Sequence, residues 1–314
     1  MPQPTSSDVH VNRPLTNISV AYMQAQNNFV ADQVFPPVPV DAQTDSYFIY
    51  DKDDFLRDEA APRAPSSESA GGGYKLSTDT YRCVVEAYHK DIDDQVRANF
   101  TDPLSPDRDA TMFVTQKLLI RREVQWMSEF FTTGVWGTDI TPGTLWSAAS
   151  STPIKNVIDG KMAIQAVTGM EPNTLVVGPK VHAALMTNAD ILDRIKYTSK
   201  ESVSEALLAG LFGVSKYIIA KGVKSSGPEG GTQTTDFIAG KHALLCYVAP
   251  TPSLLLPSAG YSFWWRGLLG AVGGSRIASF RMPELKSDRI EGEQAYDYKK
   301  VASGLGYFFN GAVA

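Results

Sequence analysis

The chain is poor in the residues that most enzymes and metal sites depend on. Cys83 and Cys246 are its two thiols, and only four histidines are scattered through 314 residues. Two cysteines so distant in sequence exclude a disulfide scaffold and a zinc site of ordinary spacing. Their apolar, strand-like surroundings predict buried, reduced thiols. Positive charge is not in excess either: 29 Lys and Arg stand against 34 Asp and Glu, a net charge of −5. A dedicated nucleic-acid binder would carry a basic patch, so that class is disfavoured. No basic segment followed by an apolar core stands at the N-terminus, and no signal peptide is expected. Asn17-Ile-Ser19 matches a glycosylation acceptor in form, but nothing else suggests secretion. Residues 243–265 are uncharged for long enough to raise the question of a membrane span. Pro250, Pro252, Pro257 and Gly260 interrupt the run, so it reads as two buried strands, 243–248 and 261–265.

Catalytic signatures are missing as well. There is no Gly-x-Ser-x-Gly elbow and no cysteine–histidine signature. Residues 267–274 hold four glycines but lack a strand-turn-helix frame and a lysine before Ser275, so they do not make a phosphate loop. The densest polar cluster runs from His89 through Asp91 to Asp93 and Asp94. With no second histidine nearby, it reads as a solvated helix end rather than a metal site. Trp264 and Trp265 lack interleaved basic residues and are expected to be core or interface anchors, not base-stacking platforms. No enzyme activity, cofactor or metal is expected.

What is present is packing material, with 43% hydrophobic residues, enough for a sizeable core. Residues 1–40 are polar and proline-interrupted, with a weak apolar pattern at Val20, Tyr22, Phe29 and Val30. They read as an extended arm that can be ordered only by lying on something else. Strands at 47–51 and 74–85 flank a polar stretch containing Asp53, Asp54 and Glu59, which predicts a protruding hairpin. Draped on a neighbour, that acidic stretch would need a cationic partner.

A strong helix start follows at Ser105-Pro106-Asp107. Apolar pairs from Met112/Phe113 to Phe130/Phe131 recur at helical spacing, giving a spine of about 25 residues and roughly 38 Å. Arg121 and Arg122 lie off its apolar stripe. Glu123 lies within it, about 20 degrees from Met112 and about 60 degrees from Trp126 on a helical wheel. A carboxylate there must be desolvated, or find a cation or several donors, unless that part of the stripe faces water. An arginine or lysine from the hairpin, or from a neighbouring subunit's arm or hairpin, is the expected partner.

Another helix is expected over 156–169, and then a compact α/β unit. Residues 174–178 form a strand, Pro179 opens a helix carrying Val181, Leu185 and Met186, and a second short turn places Ile191, Leu192 and Ile195 inward. Ser202 and Glu205 form a capping box before a helix that ends at Gly213, and residues 216–220 return as a strand. Residues 222–240 read as a long Gly, Ser and Thr loop, a protruding contact or gate. Strands at 275–281, 295–301 and 305–309 follow.

The wording of the α/β unit, from Glu171-Pro-Asn-Thr-Leu-Val-Val-Gly178 through Asp190-Ile-Leu-Asp-Arg-Ile-Lys-Tyr197 to Tyr217-Ile-Ile219, resembles the axial domain of tailed-phage major capsid proteins of the Hong Kong 97 type. The order of parts resembles that type over nearly the whole chain. The resemblance implies an α+β fold divided into an N-terminal arm (1–40), an extended hairpin loop (41–85), a peripheral domain with the spine helix (86–150), an axial domain (151–245) and returning strands of both domains (246–314). It further implies a structural protein of the virion, assembled in the host cytoplasm into an icosahedral head. Implied partners are the chain itself in pentamers and hexamers, portal, scaffolding and decoration proteins, and packaged double-stranded DNA bound without sequence specificity, with no membrane. Interface roles are expected for Asp53, Asp54, Glu59, Arg121, Arg122 and Glu123. An encapsulin-type nanocompartment shell shares the fold and is the alternative. It would usually begin with a cargo-docking helix rather than an extended arm.

Overall fold

The computed structural model describes residues 24–99, 105–196, 203–227, 231–232, 234–252, 256–267 and 275–314. Its elements run β1 (Pro37–Val40) after a short helix α1 (Ala31–Val34), then β2 (Thr44–Tyr50), α2 (Lys52–Leu56), β3 (Leu76–Arg82), β4 (Val84–Asp93), α3 (Asp94–Asn99) and the spine helix α4 (Pro106–Phe130). The second half holds β5 (Thr138–Ile140), α5 (Pro153–Thr168), β6 (Thr174–Val177), α6 (Pro179–Met186), α7 (Ala189–Ile195), α8 (Glu205–Phe212) and β7 (Lys216–Ile219). It closes with β8 (Val223–Ser225), β9 (Thr235–Phe237), β10 (Ala243–Cys246), β11 (Gly260–Trp265), β12 (Ser275–Met282), β13 (Ser287–Lys300) and β14 (Gly306–Phe309).

Two five-stranded sheets organise these parts. The first runs β1-β11-β13-β12, with β4 also on β13, whose 14 residues are long enough to pair β4 and then β11 in succession while β12 runs along the same first stretch as β4. The spine helix packs on this sheet along β13 and β4. The second runs β5-β14-β10-β6-β7. Its central strands β6, β10 and β14 are buried at every position, as short apolar runs covered on both faces should be. Helices α5 to α8 supply much of that cover through Ile154, Val157, Ile164, Val181, Leu185, Ile191, Leu208 and Phe212. β2 and β3 pair with each other as a separate two-stranded hairpin.

Local expectations meet mixed outcomes. Pro179 opens α6 as expected, and Gly213 ends α8 at φ +61°, where its N–H reaches the carbonyls of Ala209 and Gly210. The cap of α8 is Ser204 rather than Ser202: its hydroxyl accepts the Leu207 amide at 3.3 Å, and Ser202 lies outside the described residues. In α7, Ile191 and Ile195 point inward, but Leu192 is exposed because a seven-residue helix has only one face against the body. His89 to Asp93 lie in β4, not at a helix end. The ladder with β13 holds them there, and Asp91 takes a two-pronged ion pair from Arg289 at 2.7 and 3.0 Å. Part of the expected loop at 222–240 is a small β8–β9 hairpin. The glycine run beyond 267 and residues 1–23, with Val20, Tyr22 and the Asn17 motif, lie outside the described residues.

The largest departure concerns the arm. Val30, Ala31, Val34 and Phe35 are buried in the chain's main core, with the Phe35 ring 4.8 Å from Phe130, 5.5 Å from Trp126 and 6.3 Å from Tyr298. β1 then joins the first sheet in parallel with β11. This part of the arm is ordered by its own subunit, because one helical turn presents four apolar side chains to a waiting aromatic pocket. Gly260 makes room for it, since a Cβ there would lie 2.4 Å from the Phe35 ring.

Candidate functional site

Three elements meet around Glu123. The spine helix carries it inward to 1% exposure, the arm lies over it, and Gly222 at the start of the β8–β9 hairpin packs so closely that an added Cβ would sit 3.5 Å from the Glu123 Cγ. Glu123 Oε2 accepts the backbone amides of Val30 at 2.9 Å and Ala31 at 3.0 Å, the first orphan donors of α1. Oε1 is buried with no hydrogen-bond partner. The helical wheel thus locates the buried carboxylate, while the partner differs from expectation: backbone donors of the chain's own arm meet it instead of a lysine or arginine. Burial raises its pKa from 4.5 to about 7, an effect the two amides only partly offset.

Arg122, expected off the stripe, is mostly buried as well. It pairs with Asp32 of the arm at 2.5 Å and lies 4.9 Å over the Trp264 ring. Burial raises the Asp32 pKa although Arg122 and the Tyr298 hydroxyl, 3.3 Å away, favour its charged form. Asp32 and Tyr298 carried no sequence signal of their own. The spacing of Val30, Ala31, Val34 and Phe35 was the readable one, because it marks a helical turn. Arg121 is exposed and reaches Glu86 on β4 at 2.9 Å, within the same subunit. A further tie comes from Gln24, whose amide grips the Val223 backbone twice, at 2.7 and 2.8 Å.

The hairpin tip is built differently. Asp51 caps α2 by accepting the Asp53 amide at 3.1 Å. Asp54 is covered to 3% side-chain exposure by Arg57, with which it is ion-paired, and it accepts the Lys75 amide at 2.7 Å. Arg57 also reaches Glu59 at 3.2 Å. Asp54 and Glu59 therefore have a cation inside the tip, whereas Asp53 makes no ion pair among the described residues. Beside them Tyr50, Phe55 and Tyr74 form an aromatic trio with ring centres 5.8 Å apart, and Phe55 and Tyr74 remain 60% and 65% exposed. The three rings make an exposed apolar cluster on the hairpin.

At the hairpin's root Tyr47 donates to Asp79 at 2.9 Å, and the half-buried Asp297 accepts the Arg82 amide at 2.8 Å. Trp264 is a core residue and Trp265 a half-buried one, its indole donating to the Asp41 carbonyl at 3.0 Å. A cleft of about 500 Å³ lies between the arm and β7, lined by Asp32, Gln33, Glu205, Lys216 and Tyr217. Among the described residues no three His, Cys, Asp or Glu side chains gather as metal ligands, and no helix is long and apolar enough to cross a membrane.

No family model matches the chain. It is 23% identical over 318 residues to the major capsid protein of Burkholderia phage BcepMu, covering 96% of each. Among solved structures it is similar to a phage-related protein from Bordetella bronchiseptica RB50 at TM-score 0.70, with 20% identity and 92% and 94% of the two chains covered. The mature capsid of bacteriophage PhiM1 follows at TM-score 0.62, with 11% identity over 96% and 92%. The SrpI encapsulin of Synechococcus elongatus PCC 7942 gives 0.58, with 13% identity over 95% and 93%. The fold is the Hong Kong 97-type capsid fold, as the sequence resemblance implied.

Proposed function

We propose that this chain is the structural major capsid protein of a tailed phage, one subunit type that self-assembles into an icosahedral head around double-stranded DNA. Its full-length kinship with a phage major capsid protein, on this fold, carries the reading. The role is structural, and the protein resides in the virion. Its subunits form pentamers and hexamers, with the hairpin tip lying on neighbours. The exposed Phe55 and Tyr74 supply apolar area there, with Asp53 as unpaired charge at the rim. Such contacts can be individually modest, because closed symmetry multiplies them. Portal, scaffolding and decoration proteins complete the set of partners, and assembly takes place in the host cytoplasm.

The alternative is an encapsulin-type shell, which the likeness to SrpI supports at the level of fold. The sequence kinship favours the phage head. Nuclease treatment of particles released from producing cells separates the two. Protected double-stranded DNA inside the particles is expected for a head, whereas shells holding protein cargo and no protected DNA would overturn the reading.

A further inference from the structure

We propose that residues 24–31 form a proton-gated latch that ties the spine helix to the β8–β9 hairpin within one subunit, with Glu123 as the gate. The segment touches both sides through specific bonds. Gln24 holds the Val223 backbone by two hydrogen bonds, and Val30 and Ala31 donate to Glu123 on the spine helix. Between these points a cavity of about 180 Å³ is lined by Gln26, Asn27, Asp32, Arg122 and Glu123 among others. Two buried atoms of those lining residues, Glu123 Oε1 and Arg122 Nε, have no partner. The latch therefore closes over a carboxylate that is only half satisfied, which is the arrangement in which adding or removing a proton matters most.

The charged and titratable groups around Glu123 are few. The arm contributes Asp32, the spine helix Arg122, and β13 the Tyr298 hydroxyl, which burial keeps protonated. Lys221 beside Gly222 is engaged by Glu205 at 3.1 Å. Two carboxylates thus face one guanidinium, and burial raises the pKa of both.

Docked, Glu123 titrates at about 7, and with the arm lifted it returns toward its ordinary 4.5. The docked state holds the proton more tightly, so docking is strongest below about pH 4.5 and weakens as pH rises through 7. One group shifted by this much changes the docking equilibrium by about 30-fold between pH 5.5 and 8.5. Asp32 is shifted in the same direction and adds a smaller dependence.

Hydrogen exchange of the full chain, corrected for intrinsic rates and read at the Val30 and Ala31 amides, tests this. The latch is intramolecular, so the outcome is independent of whether shells form. Expected is protection about 30-fold higher at pH 5.5 than at 8.5 in the wild type. In E123Q, which keeps the acceptor and removes the charge, most of the dependence is lost and protection at pH 8.5 is higher than in the wild type. E123A exposes both amides at every pH. Equal wild-type protection at the two pH values overturns the proposal, and needs no variant to fold. So does a D32N variant that flattens the profile while E123Q leaves it intact, since the gate would then be Asp32.

Discussion

The ring of Tyr81, at the root of the hairpin, stacks on Phe263 of β11 at a centroid distance of 4.6 Å and an interplanar angle of 15°. Tyr47 approaches the same ring at 5.4 Å, and Cys83 closes the small cluster beneath them. A long hairpin with an apolar tip is thus anchored at its root by this small cluster and by the Arg82 amide bond to Asp297.

Substitutions at the anchor are expected to separate hairpin order from body stability. Y81A should raise hydrogen exchange across Thr44–Tyr50 and Leu76–Arg82 while leaving the second sheet unchanged. F263A lies in the first sheet itself and should add a global loss of about 3 kcal/mol. Exchange resolved by peptide, together with denaturant unfolding, checks both; equal behaviour of the two variants would remove the separation.

Acidic residues at the tip should not behave alike. D53K changes surface charge alone and is expected to leave subunit stability within about 0.5 kcal/mol while altering the salt dependence of assembly. D54K removes the partner of Arg57 and the acceptor of the Lys75 amide, so it should disorder the tip at any salt concentration. Light scattering across a salt series and exchange at the tip give the two readouts. D54K with an ordered tip would count against this structure of the hairpin.

The contrast between these two aspartates shows how far the sequence could be read. The hairpin, the spine helix, the α/β unit and the burial of Glu123 all follow from periodicity and breakers, which are local signals. Their partners are not local. That the Lys75 amide reaches Asp54, that Asp32 meets Arg122 and that α1 donates to Glu123 depend on how separate segments pack. The arm departs from expectation for the same reason: a four-residue helix has negligible stability alone, and its burial is decided by an aromatic pocket built from Trp126, Phe130 and Tyr298.

Truncation gives a sharp test of that correction. Deleting residues 1–35 strips Phe35 from the core and both donors from Glu123, and an insoluble or molten subunit is expected. F35A alone should cost about 3–5 kcal/mol, and G260A, which forces the Phe35 ring aside, about 1–3 kcal/mol. A stable, cooperative subunit lacking residues 1–35 would contradict the arm's place in the core.

Both thiols are expected to be inert in the folded chain. Burial pushes Cys83 and Cys246 up to about 12, so almost no thiolate exists at pH 8. Titration with a thiol reagent should find neither group in the native protein and both after denaturation. Rapid native labelling of Cys246, in the middle of the second sheet, would show that sheet to be open.

Electron cryomicroscopy of the purified particles tests the shell reading most directly. Expected is a closed icosahedral shell of pentamers and hexamers into whose density this subunit fits, with Phe55 and Tyr74 covered by an adjacent copy. A chain that remains monomeric at high concentration, or particles whose density does not fit this fold, would contradict it.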